Sequence, residues 1–186
     1  MKILLHACCG PCASGCVPRL KSEGHDVTLY FANSNIDTAA EFEKRRAAAE
    51  KLAATDGVGF AAADYDHAEW LREVAAGYEA EPEKGERCSR CFRYNLSMTA
   101  AYAAAHGYDA FTTTLTVSPH KVSEQVFAAG RMSTSDVQPS TSDLQPVFLA
   151  ENFKKRDGFK LSLRRSAELG LYRQNYCGCE FSKGKT

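Results

Sequence analysis

No stretch of this chain approaches the roughly 20 consecutive apolar residues that span a bilayer. The longest early apolar run, Ile3-Leu4-Leu5, is too short for the hydrophobic region of a signal peptide. The protein is therefore expected in the cytoplasm, with no membrane partner. No Pro/Gly/Ser-rich segment divides its 186 residues, so a single domain, 1–186, with one full core is expected. The formal net charge is zero, and the global basic excess of a nucleic-acid binder is missing. That balance hides an asymmetry. Residues 153–186 hold five lysines and four arginines against Asp157, Glu168 and Glu180, which leaves a matching acidic excess on the remainder. Lys154-Lys155-Arg156 and Arg164-Arg165 suit phosphates, and equally suit the solvated face of a helix.

What the chain has in quantity is cysteine. Its eight cysteines comprise Cys8-Cys9-x-x-Cys12 with Cys16, Cys88-x-x-Cys91, and Cys177-x-Cys179. In a reducing compartment such spacing argues for metal binding or redox catalysis and against a scaffold of permanent disulfides. Thiolate is the soft ligand that zinc and iron-sulfur clusters prefer.

Strand and helix patterns alternate along the sequence. Lys2–Ala7 reads as a buried strand, followed by a turn through Cys8-Cys9-Gly10-Pro11-Cys12 into a helix to about Ser22, with Pro11 at its first position. A β-branched and aromatic second strand runs from His25 to Ala32 and ends in Asn33-Ser34-Asn35. Thr38-x-x-Glu41 and Asp66-x-x-Glu69 match capping boxes, with a weak third strand, Val58–Ala63, between the helices they open. Gly77–Arg87 reads as a surface loop delivering Cys88, Phe92–His106 as helix, and the threonine-rich Ala110–Val117 as strand, with Ser118 and Pro119 opening the next helix. Ser133–Pro146 reads as a polar excursion, Pro146–Ala150 as a last strand, and Phe159–Leu171 as a last helix before a cysteine-bearing tail. The expected fold is α/β: a mainly parallel sheet flanked by helices, Rossmann-like or PP-loop-like. Sites in such sheets lie at the carboxyl ends of strands. Cys8-Cys9, Asn33-Ser34-Asn35, Asp64-Tyr65-Asp66 and Ser118-Pro119-His120 would then share one edge.

Cys88-x-x-Cys91 places two sulfurs on one side of a turn or helix start. Neighbouring thiols such as Cys8 and Cys9 rarely serve one tetrahedral ion together, but each can take a corner of a cluster. The two pairs supply the four thiolates of a 4Fe-4S cluster, with a four-cysteine zinc as the competing arrangement. Cys12 can face the same site, whereas Cys16 reads as a buried small hydrophobe. Cys177-Gly178-Cys179 suits either a strained, redox-active disulfide or two ligands of a second metal. His6 reads as a core histidine and His120 as a candidate acid, base or ligand. Asp64 and Asp66 flank Tyr65, where a carboxylate can bind iron or donate a proton, although capping already accounts for Asp66.

The motifs together resemble the QueH-type epoxyqueuosine reductases. The resemblance is carried by Leu4-Leu5-His6-Ala7-Cys8-Cys9-Gly10-Pro11-Cys12, Glu86-Arg87-Cys88-Ser89-Arg90-Cys91-Phe92, Phe111-Thr112-Thr113-Thr114-Leu115 with Ser118-Pro119-His120-Lys121, and the run from Arg173 to Ser182. Asn95-Leu96 departs from an expected Arg-Leu pair, and Cys16 is not a family feature. The resemblance implies reductive removal of the epoxide oxygen from epoxyqueuosine at the tRNA wobble position, without cobalamin and with an external electron donor. It further implies Cys8, Cys9, Cys88 and Cys91 as ligands of a 4Fe-4S cluster, and Cys177 and Cys179 as a redox-active pair. An additional iron ion, with Cys12 or an aspartate among its ligands, stays open. Asp64, Tyr65 and His120 are candidate proton donors. Tyr172 and Tyr176, beside Arg164, Arg165 and Arg173, are expected to clamp a splayed-out base.

Two other readings compete. A thiol-disulfide oxidoreductase rests on Cys88-x-x-Cys91 alone and leaves the remaining cysteines unused. A zinc-stabilised RNA-binding module would use the sulfurs without catalysis. ATP chemistry, suggested by the fold's likeness to ATP-dependent tRNA thiolases, is opposed by cysteines standing where those enzymes carry a glycine-rich phosphate loop.

Overall fold

The computed structural model describes residues 1–136 and 145–183. Five parallel strands, β1 (Lys2–His6), β2 (Asp26–Phe31), β3 (Gly59–Ala62), β4 (Ala110–Thr113) and β5 (Val147–Phe148), lie in the order β3-β2-β1-β4-β5. The registers pair His6 with Tyr30 on one side and with Thr113 on the other. Helices α1 (Gly10–Ser22), α2 (Ala39–Asp56) and α6 (Gly158–Glu168) pack together, as do α4 (Glu86–Ala105) and α5 (Ser123–Asp136). A core around Ile3, Leu5, Val17, Leu20, Leu29 and Leu52 fills the α1 side of the sheet. Leu4, Tyr30, Phe111, Phe127 and Phe148 fill the α4 and α5 side. Adjacent β1 residues thus enter opposite layers, as the alternation of a strand requires.

Local chemistry explains most boundaries. Thr38 Oγ1 accepts the Glu41 amide at 3.2 Å and opens α2, and Asp66 Oδ1 accepts that of Glu69 at 2.7 Å and opens the short α3 (His67–Trp70), which continues as a π turn, Leu71–Ala75. Pro11 begins α1 as expected, but Pro18 lies inside it. A proline there has no N–H for the carbonyl one turn back. That carbonyl, on Ser14, instead accepts from Arg165 Nη1 at 2.6 Å.

Three expectations fail at element ends. The threonine run leaves the sheet after Thr113, whose hydroxyl accepts the Leu115 amide at 3.1 Å and so turns Thr114–Val117 into a 3-10 segment. The loop before Cys88 ends earlier than expected, and α4 starts at Glu86. Ser118 caps no helix: its Oγ accepts the His120 amide at 3.2 Å within a turn, and α5 starts only at Ser123. That helix also runs past Ser133, whose hydroxyl donates to the Ala129 carbonyl at 2.9 Å. Residues 137–144 of the expected Ser133–Pro146 excursion lie outside the described residues. Among the described residues no helix is long and apolar enough to cross a membrane.

Candidate functional site

The strand order reverses direction between β1 and β4, which makes the crevice beyond their carboxyl ends the natural site of the fold. Cys8 leaves β1 into that crevice and Thr114 leaves β4. Thr114 Oγ1 accepts the Cys8 amide at 3.0 Å and donates to Cys8 Sγ at 3.2 Å. Cys9 is the N-cap of α1, with its sulfur 3.4 Å from the Cys12 amide that donates to it. The Sγ atoms of Cys8, Cys9 and Cys12 all lie within 4.8 Å of one another. Hydrogen bonds from Cys12, then from Cys8, outweigh burial and hold the Cys9 thiol well below its ordinary pKa, with Gln174 also bonding to it. The helix N-terminus favours the same thiolate. Burial pushes Cys16 the other way; its sulfur faces the Cys12 carbonyl at 3.4 Å inside the core.

Cys88 and Cys91 project from the first turns of α4. Cys88 Sγ accepts the Lys84 amide at 3.3 Å. Cys8 and Cys88 pack against one apolar wall of Phe92, Leu96, Leu115, Val126 and Ala129. Cys91 and Cys179 pack against another, formed by Trp70, Val74 and Ala75. Burial pushes the Cys91 thiol well above its ordinary range, and the neighbouring sulfurs of Cys177 and Cys179 add to that shift. Behind Cys91, buried Asn95 donates to Asn35 Oδ1 at 2.9 Å. The residue that breaks the Arg-Leu expectation thus ties α4 to the turn after β2.

The tail brings the third sulfur group. Gly178 has φ +139, and a Cβ there would sit 3.0 Å from Asn35 Nδ2 and 3.2 Å from Arg45 Nη1, so only glycine lets the chain pass. Arg45, 1% exposed, binds Glu41 at 2.7 Å and donates to the Cys177 carbonyl at 2.9 Å. All eight cysteines are free, so the expected disulfide between Cys177 and Cys179 is not formed.

Lys121 Nζ donates to Cys177 Sγ at 3.1 Å. Burial opposes its charge, but Cys177, then Cys8 and Cys91, more than offset this and raise its pKa. Lys121 thus ties the tail's Cys177 to the loop after β4, with Cys8 and Cys91 near enough to bear on its charge. In the sequence Lys121 stands only as one member of a motif, and the chemistry is expected of its neighbour; His120 is exposed, and only its backbone is placed, on Ser118. Thr114, Arg45 and Gln174 were also missed, because nothing in a sequence marks which polar side chain a distant segment will contact.

Asp64 is exposed at the end of β3. Tyr65 donates its hydroxyl to the Ile36 carbonyl at 2.7 Å. His6 is fully buried between Thr113 Oγ1 at 2.8 Å and the Ala32 carbonyl at 3.2 Å, a core histidine whose pKa burial lowers. Of the expected base clamp, Arg165 is engaged by Ser14 and by both oxygens of Asp56, at 3.1 and 2.7 Å. Tyr176 is engaged by Asp37 at 2.8 Å, with Arg45 4.8 Å from its ring centroid. Tyr172 stays exposed.

The family model described as epoxyqueuosine reductase QueH matches residues 3–185. The chain is 38% identical to the epoxyqueuosine reductase QueH of Streptococcus pyogenes serotype M1, over 97% of this chain and 69% of that protein. It is 33% identical to that of Thermotoga maritima, over 97% and 89%. In fold it is similar to the U34-tRNA thiolase NcsA from Methanococcus maripaludis with its 4Fe-4S cluster, with TM-score 0.56 at 10% identity, covering 98% of this chain and 61% of that one. With the family model matching nearly the whole chain and relatives 33–38% identical over 97% of it, the chain belongs to the QueH epoxyqueuosine reductase family.

Proposed function

We infer that this chain deoxygenates epoxyqueuosine at the wobble position of tRNA, yielding queuosine. The observation that carries the reading is the trio of sulfurs of Cys8, Cys9 and Cys12 within 4.8 Å of one another at the carboxyl end of β1, with the tail's Cys177 held by Lys121 from the loop after β4. Turning an epoxide into an alkene takes two electrons and two protons and releases the oxygen as water, so the site must hold reducing equivalents and an acid together.

The donor set fits an iron-sulfur centre in its chemistry: it is all thiol and no disulfide consumes any of it, with Cys8, Cys9 and Cys12 within 4.8 Å of one another and Cys88 and Cys91 outside that trio. Cys8, Cys9, Cys88 and Cys91 would hold a 4Fe-4S cluster, and Cys12 would be available to an additional iron ion. When bound, such a cluster supplies electrons singly, and an iron with an open position is a Lewis acid for oxygen. The thiol pair Cys177 and Cys179 serves as relay toward the external donor, since a dithiol going to a disulfide releases two electrons and two protons. Lys121 fixes a positive charge beside Cys177. Thr114 orients Cys8 from both its amide and its sulfur. The protons come from the acids of the strand-end edge, Asp64, Tyr65 and His120; Asp64 and His120 are in contact with solvent, from which they can be reprotonated.

The test is anaerobic reconstitution with iron and sulfide, followed by mass analysis of epoxyqueuosine-containing tRNA after adding a reductant. Brown protein absorbing near about 400 nm and tRNA lighter by one oxygen are expected. Unchanged tRNA from fully loaded protein overturns the reading, and colourless protein holding zinc favours the RNA-binding module. Cys177→Ser should keep the colour, and Cys88→Ser should bleach it.

A further inference from the structure

A groove of about 500 Å³ opens between α2 and the turn at 169–172, away from the sulfurs but joined to them by a short piece of chain. Lys44, Ala47, Ala48 and Lys51 form one face of α2, at the spacing that aligns side chains along a helix. The two alanines lie between the two lysines, of which Lys51 donates to the Leu169 carbonyl at 2.8 Å, and no carboxylate is among the lining residues. The opposite wall is Tyr172, 40% exposed. Its hydroxyl donates to Glu41 Oε2 at 2.8 Å, and Lys44 Nζ lies 5.9 Å from the ring centroid. A planar ring flanked by cations, with its phenol already engaged, matches a stacked base whose phosphate is held alongside.

The groove also lies where such a base would be needed. Next to Lys44 on α2 is Arg45, which donates to the Cys177 carbonyl at 2.9 Å, so the groove adjoins the segment that carries the tail's sulfurs. On the same helix, the Ala48 carbonyl is the atom that a Cβ on Gly10 would meet at 2.6 Å, and Gly10 follows Cys9 directly. We propose that this groove is the subsite for the nucleotide adjoining the reacting one in the anticodon loop. Tyr172 stacks on its base, and Lys44 and Lys51 hold its phosphates. This rests on the proposed tRNA activity and extends it to a specific contact.

Binding of an anticodon stem-loop RNA to the iron-reconstituted full chain, followed by fluorescence anisotropy across a salt series, tests the proposal. Tyr172→Ala should weaken binding about tenfold, the scale of losing one base-aromatic stack. Tyr172→Phe should bind as the unaltered protein does, because it loses the Glu41 hydrogen bond but keeps the ring. Lys44→Ala should reduce the slope of log affinity against log salt by about 1, as for one phosphate contact. Thermal melts of each variant check that the fold is retained. If Tyr172→Ala and Lys44→Ala bind like the unaltered protein, the subsite is overturned while the reductase reading stands. If the unaltered protein fails to bind the stem-loop at all, both fall.

Discussion

Gly10 sits between Cys9 and the first full turn of α1, at its closest approach to α2. A methyl group there would meet the Ala48 carbonyl at 2.6 Å, a backbone atom that cannot rotate away. Gly10→Ala should therefore cost about 1–3 kcal/mol, the usual scale of overpacking, read as a lower midpoint in urea unfolding. The neighbouring thiols separate into two kinds by what surrounds them. Cys8 lies against Thr114, within 4.8 Å of two other sulfurs, whereas Cys16 is fully buried among Val17, Leu20 and their partners. Cys16→Ala should lose about 1 kcal/mol of stability and leave iron bound per chain unchanged. Cys8→Ala should lower that iron content in a colorimetric iron assay after reconstitution. The difference between these two cysteines was legible in the sequence, where Cys8 stands in the turn after the first strand and Cys16, inside α1, reads as a buried small hydrophobe.

At the scale of elements, the tail is held by a latch built on Asp37. Its carboxylate accepts from Tyr176 at 2.8 Å and pairs with Lys183, and its amide donates to the Gly178 carbonyl at 3.0 Å. Burial would raise the pKa of this carboxyl, but the Lys183 ammonium and the Tyr176 hydroxyl more than offset it, leaving the value below the ordinary 3.8. A carboxyl with its folded-state pKa depressed contributes stability that is present above the unfolded value and lost as pH falls through the folded one. Amide hydrogen exchange at 176–182 should accordingly accelerate below about pH 4, and Asp37→Asn should abolish that pH dependence. The ends of α4 and α5 were misread for a related reason. Glu86 and Arg87, at the end of the charged run before Cys88, and Ser133 and Ser135 look like loop by composition, yet they sit in α4 and α5, which pack against each other; the rest of the charged run, through Gly85, is loop as expected.

At the scale of the molecule, the sheet and both core layers are complete by Leu171, and the tail beyond it supplies sulfurs and caps. A chain ending at Leu171 should keep its far-UV circular dichroism and a cooperative melt, lowered on the order of 5 °C. It should lose the ability to deoxygenate tRNA, because Cys177 and Cys179 are gone. Loss of cooperative melting would instead show the tail to be part of the core. Arg45 is the residue most altered by the truncation. It is 1% exposed, and it would keep Glu41 but lose the carbonyls of Tyr176 and Cys177.

The sequence by itself determined the alternation of strand and helix, the caps at Thr38 and Asp66, the proline start of α1 and the groups of cysteines available as ligands. Each of these depends on residues within a turn or two of one another, whose hydrogen bonds form whatever the rest of the chain does. Tertiary structure alone decided that Lys121 holds the tail's Cys177, and that Arg165 serves the carbonyl bared by Pro18 while Tyr176 latches onto Asp37. Those contacts join residues far apart in the chain, and the order β3-β2-β1-β4-β5 fixes which of them meet. No local pattern encodes that order, because nothing within a strand names the strand it will pair with and only the packing of the whole sheet ranks one neighbour over another.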